Sequence, residues 1–335
     1  MRLPLALVPL LLLCSSAAHA DYSGHPKAAP LLERLRETHG FSARDLDMVR
    51  GALAQAQRLP QLVEMEQKAP ERTETWTRYS ARIDESRITG GLALLRDYQP
   101  FLDRAEEEFG VPPAVIAAIM GIETRYGRIT GNIRVLDALA TQGFEHPTRS
   151  VFFSSELEQF FVFCRDFRKD PTSIRGSYAG AMGAAQFMPS NYLRLSLDYD
   201  GSGGRDLWTL PDAIGSIGLY FNRYRPSQAW RRGEPLVIPA RLLAPLPPGT
   251  EVNGKATAYN AGALLRAGWL AVDVELPPDT PVGIIQLPLD DGRYEYWLAL
   301  HNFYTVMTYN PRTFYAMAVT QLAQRIQQRL AAEAP

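Results

Sequence analysis

Apolar positions recur at helical spacing through the first two thirds of the chain. Residues 30–39 and 42–58 follow that period, and the second segment opens with Ser42 and Asp45 three positions apart, a helix-capping signature. Across 87–109, Leu92, Leu94, Leu95, Tyr98 and Leu102 alternate with charges at helical period. A Pro pair at 112–113 then opens an almost unbroken apolar run that ends at Gly127, which predicts a buried helix of about fifteen residues. Residues 135–142 start another helix, 145–149 make a break, and an aromatic-rich helix is expected over 151–167. Beyond Pro226 the pattern changes. The short β-branched or aromatic runs 236–238, 281–289, 294–300 and 303–309 are set apart by Pro, Gly and Asp, and the last apolar segment, 313–330, is again an amphipathic helix. The fold class predicted is mainly α with a small β-subdomain, an α+β chain. Its regions are a helical stretch over 21–110, a core over 111–225, a β-containing unit over 226–308 and a returning helix within 309–335.

One polar group breaks the apolar run. Glu123 follows Met120, Ile119 and Ile116 by three, four and seven positions, so all four share one helix face. Burial against aliphatic groups disfavours the ionised carboxylate, and the exposed carbonyls of a last helical turn disfavour it again. A carboxyl kept protonated near neutral pH suits general-acid chemistry. The competing reading is that Glu123 bends outward to pair with Arg125 or Arg128.

Composition narrows the field. The formal net charge is −1 over 335 residues, which gives no reason to expect nucleic acid. Residues 1–20 carry Arg2, an apolar run and Ala18-His19-Ala20, which reads as an export signal cleaved after Ala20. The rival is a lipoprotein signal with Cys14 lipidated, although Leu13 stands where a small residue is expected. Export to the periplasm in soluble form is the reading adopted. Cys164 is then the remaining thiol, so neither an internal disulfide nor a Cys-based zinc site is expected. His146 beside Pro147 has no second ligand placed to join it and reads as a loop residue.

Three further stretches carry candidate chemistry. In the segment 176–189 the small residues 176, 180, 183 and 184 allow close backbone approach and leave Ser177 and Gln186 as its polar groups. Residues 198–209 have the layout of a calcium loop, with Asp198, Asp200 and Ser202 as oxygen ligands, Gly203 at the turn and the Gly204 carbonyl next. Position twelve of that loop is Thr209 where a carboxylate normally binds, so calcium affinity should be weak unless Asp212 supplies oxygens. The third stretch is Tyr309-Asn310, just before the last helix.

The strings GIETRYG and NIRVLDALATQGF, followed in order by GSYAGAMGAAQFMPSNY, DLWTLPDAIGSIGLYF and NFYTVMTYNPRTFYAMAV, resemble the B-type lytic murein transglycosylases. The resemblance covers most of the chain from Trp76 onward. It implies a lysozyme-like catalytic core acting on peptidoglycan glycan strands, with Glu123 as the single acid and base. Protonated Glu123 would donate to the glycosidic oxygen, the substrate's N-acetyl carbonyl would stabilise the sugar cation, and the sugar's 6-hydroxyl would close a 1,6-anhydro ring. It further implies that Ser177, Gln186 and Asn310 position sugar groups and that Tyr126, Tyr220 and Tyr309 line the cleft. Arg149 matches one of a family arginine pair, but Thr148 stands where the other would be. Family members carry an EF-hand-like loop at 198–209, none of them needing a cofactor for the reaction, and cell-wall synthesis proteins are implied as partners. The alternatives are a hydrolytic lysozyme using a second carboxylate such as Asp137 or Asp166, and a non-catalytic murein-binding scaffold.

Overall fold

A computed structural model describes residues 21–62 and 73–333. The export signal expected over 1–20 lies outside the described residues. About half the chain is helical, and the strands form a small antiparallel sheet.

The organising element is helix α1 of this description, Pro113–Thr124, whose residues Ile116, Ala117, Ala118, Ile119 and Met120 are fully buried. It is apolar on every side because it is surrounded: by Glu85–Asp97, Gln99–Phe109 and Leu210–Arg223, and by the last helix, Thr313–Glu333. Its neighbours before it came from one expected stretch, 87–109, which breaks at Tyr98 into two helices with Pro100 at the start of the second. The capped segment expected at 42–58 is a helix over Ala43–Ala54, and the Ser42–Asp45 capping box is present in both directions. Helices Val135–Glu145 and Ser150–Asp166 pack on each other, with Phe153, Phe160, Phe161 and Phe163 between them and the core. A single apolar cluster runs from Tyr22 to Ile326, so the N-terminal helices share their interior with 111–225.

Strands Val237–Leu242, Tyr259–Asn260, Leu270–Ala271, Pro281–Pro288 and Tyr294–Ala299 build a five-stranded sheet in which every pairing is antiparallel. Pro281–Pro288 reads as a continuous apolar run because both of its faces are covered: Ile285 and Leu287 join the main core, while Val282 and Ile284 join a second, smaller one.

One expected strand is a helix. Residues 303–309 fall largely within His301–Met307, where Phe303, Val306 and Met307 recur at helical spacing and are buried. Their aromatic and β-branched content suggested strand, but tertiary burial decided the outcome. The preceding Asn302 locks the helix start: its side chain accepts from Arg231 N–H and donates to the carbonyls of Arg231 and Glu234.

Candidate active site

Glu123 lies in the last turn of Pro113–Thr124. The helix stops at once. Arg125 and Tyr126, at φ 49° and 63°, turn left-handed, and the Tyr126 N–H closes on the Met120 carbonyl. Two successive non-glycine residues in that region are strained, and the packing of Tyr126 holds them. Its ring lies against Gly90 and its hydroxyl end against Gly121, where an added methyl would collide with it, and that hydroxyl donates to the Arg87 carbonyl. Tyr126 is thus a packing group between two helices and does not join the aromatic wall described below.

Glu123 remains partly exposed, yet protein atoms crowd its carboxyl. Burial raises its pKa from 4.5 to about 7, against the opposing effect of one hydrogen bond, in which the Tyr315 hydroxyl donates to Oε1 at 2.5 Å. It forms no ion pair with Arg125 or Arg128: the Arg125 guanidinium lies 3.5 Å from Asp84 instead. The outward-pairing reading is therefore overturned. Tyr315 is fully engaged and buried, and burial followed by the charge of Glu123 holds its own pKa far above that of a free tyrosine.

Tyr315 was not among the residues singled out from the sequence. It lies in the motif NFYTVMTYNPRTFYAMAV, and its signal was the six-residue step from Tyr309, in the turn before the last helix, to the first turn of that helix.

The Gly-rich segment forms the adjoining floor through turns. A two-stranded pairing of Ile133–Arg134 with Arg175–Gly176 fixes its start. Thr124, next to Glu123, donates to the Ala184 carbonyl at 2.9 Å, and Gln186 Nε2 donates to the carbonyls of Thr130 and Gly183. Gln186 has φ 50°, and its Oε1 is left for another donor. Gly183, at φ 72°, is required: a Cβ there would meet the Leu207 carbonyl oxygen at 2.6 Å. Ser177 Oγ accepts from the Ala181 N–H at 3.1 Å.

Tyr309 ties this floor to an aromatic wall. Its hydroxyl donates to the Ala185 carbonyl, and its ring lies 4.7 Å from that of Tyr220, whose hydroxyl donates to the Thr308 carbonyl at 2.7 Å. Both phenols are held protonated, Tyr309 by burial and then by the charge of Glu123, Tyr220 by burial and then by Tyr224. Tyr220 and Tyr309 also line a cavity of about 850 Å³, together with Arg149, whose guanidinium sits over Phe152 and Phe153. Glu123, Ser177, Gln186 and Asn310 are not part of that lining; Asn310 is half-buried and its carbonyl accepts from Arg312 N–H.

The other carboxylates considered from the sequence are engaged elsewhere. Asp137 is held by Arg134 at 2.7 Å and accepts from the Gln57 N–H, Asp166 pairs with Arg165, and Glu145 binds Tyr22 and Arg58. His146 Nδ1 accepts the N–H groups of Thr148 and Arg149, which holds the turn between the helices Val135–Glu145 and Ser150–Asp166.

At the acidic loop, Asp198, Asp200 and Asp212 bring carboxylate oxygens within 4.8 Å of one another. Ser202 Oγ and the Gly204 carbonyl lie 3.3 Å apart beside them. Thr209 instead stands just before the following helix, its hydroxyl donating back to the Asp206 carbonyl at 2.9 Å. The third carboxylate is Asp212, buried in the first turn, whose oxygens also accept the N–H groups of Tyr199, Asp200 and Asp206. This all-oxygen donor set fits a hard cation such as calcium.

Among the described residues, no helix is long and apolar enough to cross a membrane. Residues 24–324 match the family model of the transglycosylase SLT domain. The chain is 38% identical over 321 residues to membrane-bound lytic murein transglycosylase B of Escherichia coli strain K12, covering 91% of this chain and 84% of that protein. It is similar to the E. coli lytic transglycosylase SLT35 in complex with bulgecin A, with a TM-score of 0.82 at 37% identity over 93% of this chain and 96% of that one. SLT35 has also been solved in complex with calcium, at a TM-score of 0.81 and with the same coverage. A third relative, SltB3 from Pseudomonas aeruginosa in complex with NAG-NAM-pentapeptide, matches at a TM-score of 0.72 and 28% identity, over 90% of this chain and 79% of that one.

Proposed function

The chain belongs to the transglycosylase SLT domain family, and from that premise we propose that Glu123 is its one acid and base, cutting glycan between N-acetylmuramic acid and N-acetylglucosamine. The protein is a lytic transglycosylase that cleaves peptidoglycan. The observation that carries the assignment to Glu123 is its pairing with Tyr315: a partly open carboxyl, pKa about 7, held in place by a neutral phenol.

In the proposed reaction the Glu123 proton passes to the glycosidic oxygen as the bond from that oxygen to the anomeric carbon breaks. The neighbouring N-acetyl oxygen stabilises the positive carbon, so no second protein carboxylate is needed. Glu123, now ionised, takes the proton of the 6-hydroxyl, and that oxygen bonds to the anomeric carbon, closing a 1,6-anhydro ring without water. Gln186 Oε1 would accept from the N-acetyl N–H, with Ser177 and Asn310 as further polar contacts and Tyr220 and Tyr309 as walls. Arg149 would meet the strand farther along the cavity. A hydrolytic route and a scaffold role are both disfavoured by the family match, and the engagement of Asp137 and Asp166 supports the one-carboxylate route.

Calcium would be held by Asp198, Asp200, Ser202 and Gly204 with Asp212, where it would cross-link the loop to the helix Leu210–Arg223. Export with cleavage after Ala20, as a soluble periplasmic protein, is the reading of residues 1–20; N-terminal sequencing tests it, and a diacylglyceryl group on Cys14 would replace it with lipid anchoring. Strands that carry peptides are the natural substrate, and wall-synthesis proteins remain the partner class implied by the family.

Digestion of purified murein followed by mass analysis tests the reaction. The expected products are anhydro-muropeptides, each lighter by one water than the hydrolysed species. Products of hydrolysed mass would restore the lysozyme reading, and intact murein would restore the scaffold reading.

A further inference from the structure

The aromatic wall continues past Tyr220. Tyr224 stacks on Tyr220 with centroids 4.5 Å apart and an interplanar angle of 13°, and two guanidinium groups approach the Tyr224 ring: Arg194 at 5.2 Å and Arg225 at 5.6 Å from its centroid. All three side chains line the 850 Å³ cavity that Tyr220 and Tyr309 share. We propose that Arg194 and Arg225 form an anion subsite that binds a carboxylate of the peptide borne by the glycan strand, an inference that rests on the function proposed above.

Four observations carry it. Neither guanidinium has a carboxylate within ion-pairing distance among the described residues; their polar contacts are with neutral acceptors, Asn191 Oδ1 at 3.3 Å and Gln228 Oε1 at 3.4 Å. Elsewhere on this chain arginines pair readily, as Arg58, Arg82 and Arg134 do at 2.6 to 2.7 Å. An arginine pair left without acids, fixed over one ring, is a fork-shaped receptor for a planar anion.

The second observation concerns the one acidic side chain in the same lining, Glu156. It is buried and its two oxygens are taken by the Ser190 N–H at 3.0 Å and the Ser190 hydroxyl at 2.7 Å, so that it feels the charge of Arg194 without forming an ion pair with it. Third, the chain as a whole is near neutral at −1, so the cationic pair is a local feature and not a sample of a basic surface.

Fourth, the reach is right. The ring steps from Tyr309 to Tyr220 and on to Tyr224 are 4.7 and 4.5 Å, a span that a few extended residues cover at about 3.3 Å each. The sugars of the proposed substrate carry no fixed charge at their hydroxyl and N-acetyl groups. While the lactyl carboxyl of each muramic acid is tied up in its amide to the peptide, the anions of the strand are peptide carboxylates, so this pair would distinguish peptide-bearing strands from uncharged ones.

The test compares cleavage of peptide-bearing glycan strands with cleavage of the same strands stripped of peptide by an amidase, the lactyl carboxylates so freed being capped as methylamides to leave the control uncharged. Arg194→Gln/Arg225→Gln should lose about tenfold to a hundredfold in kcat/KM on peptide-bearing strands, chiefly through KM, as expected for two lost charge-assisted hydrogen bonds. On stripped strands its kcat/KM should stay within about twofold of the wild type. Arg194→Lys/Arg225→Lys, which keeps charge but not the fork, should fall between. In the wild type, raising ionic strength should weaken binding of peptide-bearing strands alone, a readout that stands even if a variant folds poorly. Equal losses on both substrates, or no loss on either, would overturn the subsite. Absence of anhydro products from either substrate with the wild type would instead overturn the proposed function.

Discussion

The Tyr315 hydroxyl reaches Glu123 Oε1 at 2.5 Å from a helix that begins 190 residues later in the chain, at Thr313. A phenol held protonated by burial donates to this carboxyl in either of its charge states, but it stabilises the ionised one more. Tyr315→Phe is expected to lower kcat about tenfold, through lost orientation of the acid. It should also move the alkaline limb of the pH profile upward, since the effect that lowers the pKa of Glu123 is removed. An unchanged limb with reduced activity would mean that Tyr315 serves packing alone.

Glu123→Gln keeps the shape and removes the transferable proton. Release of anhydro-muropeptides should fall by roughly a hundredfold to ten-thousandfold, the span of lost general-acid catalysis. In the wild type, activity should decline as pH rises through about 7. Near wild-type product release by a folded Glu123→Gln protein would end the assignment.

The same carboxyl makes stability depend on pH. Its folded pKa, about 7, lies above the free value of 4.5, so between those values the folded chain holds a proton that the unfolded chain has released. Stability therefore falls as pH rises across that window, and below it the cost is absent. The Glu123→Gln variant lacks this slope, and its advantage over the wild type should grow to on the order of 1–3 kcal/mol by pH 8, as denaturant melts at pH 4.5 and pH 8 would measure.

In the acidic loop, Asp198 and Asp212 should behave differently. Asp198 is half-buried and accepts the Gly203 N–H, a bond that an amide oxygen can keep, so Asp198→Asn should abolish any calcium-dependent rise in melting temperature with little effect on the metal-free protein. Asp212 is 1% exposed and accepts three backbone N–H groups, so Asp212→Asn should lose about 1–3 kcal/mol even in a chelator. Calcium titration followed by thermal melting of the two variants distinguishes a shared ligand role from a purely structural one.

Gly183→Ala should be destabilising by a few kcal/mol, because a methyl there meets the Leu207 carbonyl and the backbone is left-handed. Activity should fall with it, since the Gly183 carbonyl is one of the two acceptors that hold Gln186. A fully stable and active variant would show that the floor segment tolerates rearrangement.

Local pattern made the helices legible. The apolar run around Met120 announced a surrounded helix, and the Ser42–Asp45 spacing announced a capped one. Residues 303–309 were misread because aromatic and β-branched side chains serve a buried helix as well as a strand, and only contact with the core separates the two. At the site, Glu123 stood out because a lone carboxyl contradicts its apolar face. Tyr315 did not, since a tyrosine in an amphipathic helix is ordinary until its partner, 192 positions away, is known. Tyr126, named through the family resemblance, is set by two successive left-handed residues that bring its side chain onto Gly90 and Gly121, a placement that no local pattern announces. Asp212 was named from the sequence as the alternative source of oxygens, and the start of the helix Leu210–Arg223 brings its carboxylate to the acidic loop.

The 192-residue separation within the Glu123–Tyr315 pair also orders events in time. A chain emerging from its N-terminus completes the acid-bearing helix long before the sheet and the final helix exist. Until Thr313–Glu333 docks against it, that helix has an open flank and its carboxyl has neither its hydrogen bond nor its shielding from water. A chain truncated before Thr313 would lack the Tyr315 hydroxyl, so it is expected to leave peptidoglycan uncut even if the rest of it folds.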